Sequence, residues 1–435
     1  MVDWRKKRDD FPILKRRVKT ADKKKKPIVY LDSACMALKP LEVVEAMNRY
    51  YLEFSGCAGR SIHKIGDETT KAYHKAREKI AKFINAKHVN KKEIHDEVIW
   101  TRNTSEGINL VARALNFPEG CKVISTNLEH HSGILPFHEL SKRKNVTLEI
   151  VNAKPDGTFD LEDWEKAIDN NTRLVSIIRA SNVSATMAPV EEICRIAHDH
   201  GALVLTDDAQ YAPHHKMDMQ KSGVDFSAFS IHKMCGPTGM GVLYVRHELY
   251  EEMGTSLVGG DTIESVWIKN GRPGCKYLPP PEKYEAGLQN YAGAIGAGAA
   301  ADYLMRIGME NIEKLEKRFA KKLVEGLLEI SEVNLIGPED PSKRSALASF
   351  TIKGMKEIQD AHEVARKLDH FEAIMVRSGH HCAMPFHRCL RDNLVIPIEG
   401  SVRASLYLYN TENEIDLFLE TLRDFINKKQ FEFMQ

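Results

Sequence analysis

Between Val98 and Val245 the chain repeats one pattern, a short run of β-forming apolar residues followed by a longer stretch with helical spacing. The runs are Val98 to Trp100, Lys122 to Ser125, Thr147 to Val151, Arg173 to Arg179, Ala202 to Leu205, Phe226 to Ser230 and Gly241 to Val245. Strands that alternate with helices predict an α/β fold: a mostly parallel seven-stranded sheet covered on both faces. A chain of 435 residues that is 43% hydrophobic has material for one large core and a smaller one, so two lobes are expected. Upstream, Thr69 to Ala86 fits a helix with Tyr73, Ala76, Ile80, Phe83 and Ile84 on one stripe. After Gly287 an Ala/Gly-rich stretch leads into a charged, periodic helix running to about Ile330, read as the connector between lobes. Beyond it, strand-like Ala346 to Ile352 and Ser401 to Tyr409 and helical Ile358 to Leu368 and Ile415 to Lys428 form a small α+β domain. Gly133 to Pro136 and Pro279 to Pro281 read as loop punctuation.

Chemistry concentrates where the strand-like runs end. Ser230-Ile231-His232-Lys233 places a lysine among phosphate-binding residue types at the end of an apolar run, followed by Gly236-Pro237-Thr238-Gly239. An aldehyde cofactor anchored on Lys233 needs such a rigid place, and the neighbouring Ser, His and Gly can donate to a phosphate. The cofactor suggested is pyridoxal 5'-phosphate (PLP). The preceding run, Val204-Leu205-Thr206, ends in Asp207-Asp208-Ala209-Gln210. Ligands of open α/β sheets sit outside the carboxyl ends of strands. There Asp207 can keep a pyridine nitrogen protonated, and Gln210 can donate to a ring oxygen. Thr104-Ser105-Glu106-Gly107 follows the run Val98 to Trp100 and opens a helical pattern, a place where free N–H groups attract a phosphate. Thr104 or Ser105 could equally serve as a plain N-cap.

The bulk properties narrow the function classes. Net charge is +1, which argues against nucleic acid as an obligatory partner; the basic run Arg5 to Arg17 and Lys23 to Lys26 is read as a solvated segment. No apolar stretch is long enough to span a bilayer, and the N-terminus lacks a signal-peptide apolar region, so a cytoplasmic protein is expected. Eight cysteines in a chain this long are too sparse for a disulfide framework. His380, His381, Cys382, His387 and Cys389 are metal-ligand types, but their spacing is not that of a standard zinc framework, and no metal is expected.

A series of motifs in one order resembles the Suf-type (group II) cysteine desulfurases and selenocysteine lyases, class V aminotransferase-like PLP enzymes of fold type I. They are Tyr30-Leu31-Asp32-Ser33-Ala34, Ser61-Ile62-His63, Thr104 to Asn109, Glu129-His130-His131, Ala180-Ser181-Asn182, Asp207-x-Ala-Gln210, Ser230-x-His-Lys233, Glu285-Ala-Gly287, Arg377 to Pro385 and Arg403-Ala-Ser405. The resemblance implies an N-terminal segment (1–38) that joins the small domain, a large PLP-binding domain (39–295), and an interdomain helix with the C-terminal small domain (296–435). It implies that Thr104, Ser105, Ser230 and His232 form the phosphate cup, that His130 stacks on the ring and serves in proton transfer, and that Asn182 lies near the ring oxygen. Arg403, Asn182, His63 and Arg377 would receive the substrate, with Arg403 gripping its carboxylate through a planar, bidentate fork. Catalysis would fall to Lys233, His130 and Cys382: Lys233 removes the α-proton of L-cysteine and the Cys382 thiolate takes the sulfur as a persulfide, releasing alanine. A thiolate is needed, and Arg377, His380 and His381 are its candidate neighbours by sequence. A homodimer and a protein sulfur acceptor or iron–sulfur scaffold are the implied partners.

Rival readings keep the fold and change the chemistry: a selenocysteine lyase, another C–S lyase or a class V aminotransferase. A rival of another class is a non-catalytic sulfur-transfer scaffold. The chain also departs from the family pattern. Asn103 and Asp208 stand where glycine is usual, and Leu288 stands where a threonine commonly reaches the partner subunit's phosphate. Val183-Ser184-Ala185-Thr186 follows Asn182 in place of the usual Leu-Gly-Thr ending. Cysteines occur beside motifs at Cys35, Cys57, Cys235, Cys275 and Cys389, and a sulfur relay or an iron–sulfur ligand set near Cys382 is one reading of them; unrelated buried thiols are the other.

Overall fold

The computed structural model describes residues 2–87 and 96–434. Seven strands form its central sheet: β1 (Val98–Thr101), β2 (Lys122–Thr126), β3 (Thr147–Val151), β4 (Thr172–Ile178), β5 (Leu203–Asp207), β6 (Phe226–Ser230) and β7 (Gly241–Val245). Their order is β1-β7-β6-β5-β4-β2-β3, and only β7 runs against its neighbours. The central strands β5, β6 and β7 are buried along their whole length, as expected of strands covered on both faces. The carboxyl ends of β1, β2, β4, β5 and β6 therefore converge on one edge, and every motif assigned to the cofactor above follows one of these ends.

A second core surrounds a four-stranded antiparallel sheet in the order Val333–Ile336, Leu347–Ile352, Ser401–Ser405, Arg377–Gly379. The helices Met309–Leu328, Ile358–Glu372 and Glu412–Asn427 bury Phe319, Leu368, Phe418 and Leu422 there. The last two begin at capping boxes, Glu357 with Asp360 and Thr411 with Glu414. The N-terminal segment is stitched into this layer. Val29–Tyr30 pairs in parallel with Ile374–Met375, Asp32 bridges Ser405, and Arg8 bonds the Tyr409 carbonyl at 2.6 Å and Glu414 at 2.7 Å.

Three sequence expectations are corrected. The connector is two helices: the Ala/Gly-rich run is itself the buried helix Tyr291–Ile307, and Gly308, at φ +89°, breaks it from Met309–Leu328. Gly133 to Pro136 is no loop but part of the helix His131–Arg143. Pro136 costs that helix only the bond to the Ser132 carbonyl in its first turns, and Gly133 is small because an added Cβ would meet Glu129 Oε2 at 2.5 Å. Finally, the helix expected from Thr69 spans Lys64–Phe83, with His63 as its N-cap.

Candidate active site

A cavity of about 590 Å³ lies at the carboxyl edge of the sheet, between the two cores. Of the predicted site residues, Thr104, Ser105, His130, Asn182, Asp207, Gln210, Ser230, His232, Lys233, Arg377, Cys382 and Arg403 all line it. His63 does not: it is exposed and N-caps the helix Lys64–Phe83, its Nδ1 accepting from Gly66 N–H at 3.2 Å. Its expected substrate contact is absent from this chain's cavity because the helix claims the ring as a cap.

The floor of the cavity is built from strand ends. Lys233 follows β6 in a single 3₁₀ turn, Ile231–Lys233. Burial lowers the affinity of its amine for a proton, and Asp207 opposes that effect. Asp207 ends β5 and is buried; its Oδ1 accepts from Ala209 N–H at 2.9 Å, and loss of water raises its carboxyl to about 6 against the pull of Lys233. Gln210 donates to the Ala34 carbonyl at 2.7 Å, while its Oε1 is buried without a partner.

The anion cup sits at the N-terminus of the helix Thr104–Ala114. Its N-cap is Asn103, whose Oδ1 accepts from Glu106 N–H at 3.0 Å, so neither Thr104 nor Ser105 is used as the cap. Both hydroxyls remain with the cavity: Thr104 Oγ1 lies 2.6 Å from Ser230 Oγ, and Ser105 Oγ lies 2.5 Å from Ser132 Oγ. Asn103 thus answers the departure at that position, since it supplies the cap.

His130 follows β2 and caps the helix His131–Arg143. Its Nδ1 accepts from Ser132 N–H at 3.2 Å, which leaves the ring proton on Nε2. Burial, then Lys233, hold its imidazolium form down to about 3, so the ring is neutral. Burial and Lys233 likewise lower His232 to about 4.

The roof comes from the second core. Arg403, on Ser401–Ser405, is buried; Nη1 donates to the Asn182 carbonyl at 3.0 Å, Nη2 stands 3.5 Å from Asp32, and Nε has no partner. Arg377 is paired with Asp32 at 2.8 Å and donates to Cys35 Sγ at 2.6 Å. Cys382 is exposed at the rim of the cavity. It and His381 take φ values of +58° and +50°, two successive left-handed residues that cost roughly 1–2 kcal/mol each. Two bonds hold this turn: His131 N–H to the Cys382 carbonyl and Asn182 Nδ2 to the His381 carbonyl, both 2.7 Å. Of the candidate neighbours of the Cys382 thiol, all of which line the cavity, His381 is spent on Ser401 at 3.0 Å and Arg377 on Asp32 and Cys35, which leaves His380.

The class-V aminotransferase profile matches residues 29–418, the whole span of this site. The chain belongs to the class-V aminotransferase family. Its curated relatives include a probable cysteine desulfurase of Halalkalibacterium halodurans, 40% identical over 415 residues with 95% of each chain covered. One of Streptomyces coelicolor is 40% identical over 422 residues, again with 95% of each covered. Among solved structures, the apo cysteine desulfurase of Thermococcus onnurineus is 38% identical with a TM-score of 0.84, covering 92% of this chain and 95% of that one. A cysteine desulfurase of Escherichia coli, solved as an S-sulfonic acid, is 28% identical with a TM-score of 0.83, covering 98% and 99%.

PLP is the cofactor of this class-V enzyme, and the residues present fit it. An amine whose proton affinity burial has lowered, a buried carboxylate, and orphaned Gln210 Oε1 and Asn182 Oδ1 all line one cavity. Buried polar atoms without partners are rare in native proteins, so their gathering here marks a place made for a polar guest. Sequence reasoning missed two contributors. Asp32 was noted only inside a motif, yet it pairs with both roof arginines. Ser132 joins His130 to the anion cup, and its position just after the histidine pair was the one available signal.

The cysteine expectations separate in the same way. Among the described residues no three metal-ligating side chains gather, so no iron–sulfur ligand set forms from them. Cys235 is buried in the large core, Cys57 touches the Tyr291 hydroxyl at 3.8 Å, and Cys275 lies exposed on the hairpin Ile263–Lys269/Arg272–Tyr277. Cys35 and Cys382 alone among the eight line the cavity.

Proposed function

We propose that this protein is a PLP-dependent cysteine desulfurase that converts L-cysteine to L-alanine and leaves the sulfur as a persulfide on Cys382. The observation that carries the reading is a thiol at the mouth of the same cavity whose floor holds Lys233 and Asp207. An aminotransferase has no use for that thiol.

Lys233, Asp207, Gln210, His130 and Asn182 would hold the PLP ring, and Thr104, Ser105, Ser230 and His232 its phosphate. When bound, PLP supplies an electrophilic carbon for an amine and a ring that accepts the electrons released at the substrate α-carbon. The residues of the chain do the rest. Lys233, with its proton affinity lowered by burial, takes the α-proton and returns it. Asp207, ionised above about pH 6, would supply a negative charge to the ring. His130 is neutral and presents Nε2–H, so it can donate a hydrogen bond into the pocket without carrying a charge there. Arg403 has an unpartnered Nε and is the carboxylate clamp, whereas Arg377 is already engaged by Asp32. The Cys382 thiolate attacks the substrate sulfur; the carbon–sulfur bond breaks, its electron pair stays with carbon, and protonation there gives alanine.

Of our division into residues 1–38, 39–295 and 296–435, the separate core around the four-stranded sheet supports a second lobe, whereas the helix Tyr291–Ile307 packs in the large core and crosses the 295/296 boundary. We further propose a cytoplasmic homodimer that passes its sulfur to a protein acceptor or iron–sulfur scaffold. Exposed Val266, Trp267 and Ile268 on the hairpin favour a subunit contact, and among the described residues no helix is long and apolar enough to cross a membrane. The test is to incubate the purified holoenzyme with L-cysteine and measure alanine and the Cys382 persulfide separately. Both are expected, and Cys382→Ala should lose both. Cysteine-dependent turnover that Cys382→Ala leaves intact would mean an aminotransferase instead.

A further inference from the structure

Cys35 stands in the catalytic cavity and no step above uses it. It follows the Asp32-Ser33-Ala34 motif in a tight turn, its N–H bonded to the Asp32 carbonyl at 3.1 Å, and the Ala34 carbonyl beside it accepts from Gln210 on the cavity floor. The thiol is half-buried, whereas that of Cys382 is exposed. Its partner is not apolar: Arg377 Nη2 donates to Sγ at 2.6 Å, and Asp32 fixes the same guanidinium at 2.8 Å. Arg377 is five residues before Cys382, so the cation that faces Cys35 and the thiol at the rim share one segment. Both thiols line the cavity that holds the Lys233 amine. A cysteine serving only as a small apolar filler would not be set against a cation held in place by a carboxylate.

We infer that Cys35 is a second sulfur carrier, which takes the sulfane sulfur from the Cys382 persulfide and holds it beside Arg377. The inference rests on the desulfurase reading. In the step, Cys35 Sγ, as thiolate, attacks the outer sulfur of the Cys382 persulfide. A new Cys35 S–S bond forms, the Cys382 S–S bond breaks, and its electron pair returns to Cys382 Sγ. One proton moves from Cys35 to Cys382, and no oxidant or reductant is consumed. The guanidinium at Cys35 stabilises both the attacking thiolate and the anionic persulfide that results. Cys382 is then free for a second substrate before any acceptor arrives, so one protomer can store two sulfur atoms.

The holoenzyme is incubated with excess L-cysteine without acceptor or reductant, and intact mass and alkylation-protected peptide mapping are read together with alanine. The expected result is two added sulfur atoms per protomer, one on the Cys35 peptide and one on the Cys382 peptide. In Cys35→Ser the count falls to one, all on Cys382, and in Cys382→Ala neither peptide is loaded. Alanine with a Cys382 persulfide but an unmodified Cys35 would overturn the relay and leave the desulfurase standing. Absence of alanine from the wild-type holoenzyme would bring down both.

Discussion

The floor and the rim of the cavity are built on different principles. The floor is made of strand ends: Asp207 closes β5 and Lys233 follows β6, both strands wholly buried, so the positions of these two groups are fixed by the packing of the large core. The rim is a turn with two consecutive left-handed residues, His381 and Cys382, kept in place by two hydrogen bonds from the facing lobe. Burial tunes the floor groups far from their solution values, whereas the Cys382 thiol is left in contact with solvent. The contrast fits the tasks proposed for them. Proton transfer needs a dry, pre-set environment, and a sulfur carrier must be reachable by its recipient.

Substitutions can break this contrast. On the floor, Lys233→Ala should lower alanine formation by roughly a thousandfold or more and abolish the yellow absorbance of the bound cofactor. His130→Gln should cost about a hundredfold. Because the wild-type ring is already neutral down to about pH 3, the pH–rate profile of the wild type should show no acid limb from His130 between pH 5 and 7; a limb that vanishes in His130→Gln would contradict this.

Glu129 offers a test by stability. Buried and bonded to Thr126 and Ile178, its carboxyl is raised by burial to about 8 from an ordinary value of 4.5. The folded state therefore holds this proton more tightly than the unfolded one, and its contribution is complete below about pH 4.5 and is lost as pH rises toward 8. Glu129→Gln removes the titration, so its melting temperature relative to wild type should climb from pH 5 to pH 8. The difference should reach about 2 kcal/mol or more, and a gap constant with pH would refute the assignment. At the rim, Asn182→Ala removes the bond to the His381 carbonyl and should slow Cys382 persulfide formation about tenfold, roughly the worth of one buried hydrogen bond. Asn182 also faces the cofactor cavity, so the rate is measured on enzyme saturated with PLP, and an unchanged rate under that condition would refute the role of the bond.

The floor was also the more legible part. A strand that ends in a carboxylate and another that ends in a lysine declare themselves because the apolar run and the polar residue are adjacent in sequence. The same logic reached Thr104, whereas Asn182 and His63 came only with the family resemblance. Nothing in Ser61-Ile62-His63 distinguishes a ligand contact from an N-cap, and in this chain the ring caps the helix Lys64–Phe83, outside the cavity. Pro136 misled in the opposite sense, because a proline early in a helix loses little. The break at Gly308 was hidden by periodicity on both sides, and only its left-handed backbone reveals it. Asp32 was hard to see because its role is defined by two arginines more than three hundred residues away.

That separation has a consequence for how the molecule is made. The strand Val29–Tyr30 can find its neighbour Ile374–Met375 only after nearly the whole polypeptide has left the ribosome. Until then the earliest segment must wait unpaired, and Asp32 and Cys35 wait with it. The cofactor platform can assemble first, but the rim closes last, so a chain cut short before Ile374 would carry the lysine floor and Cys35 without the turn that bears Cys382.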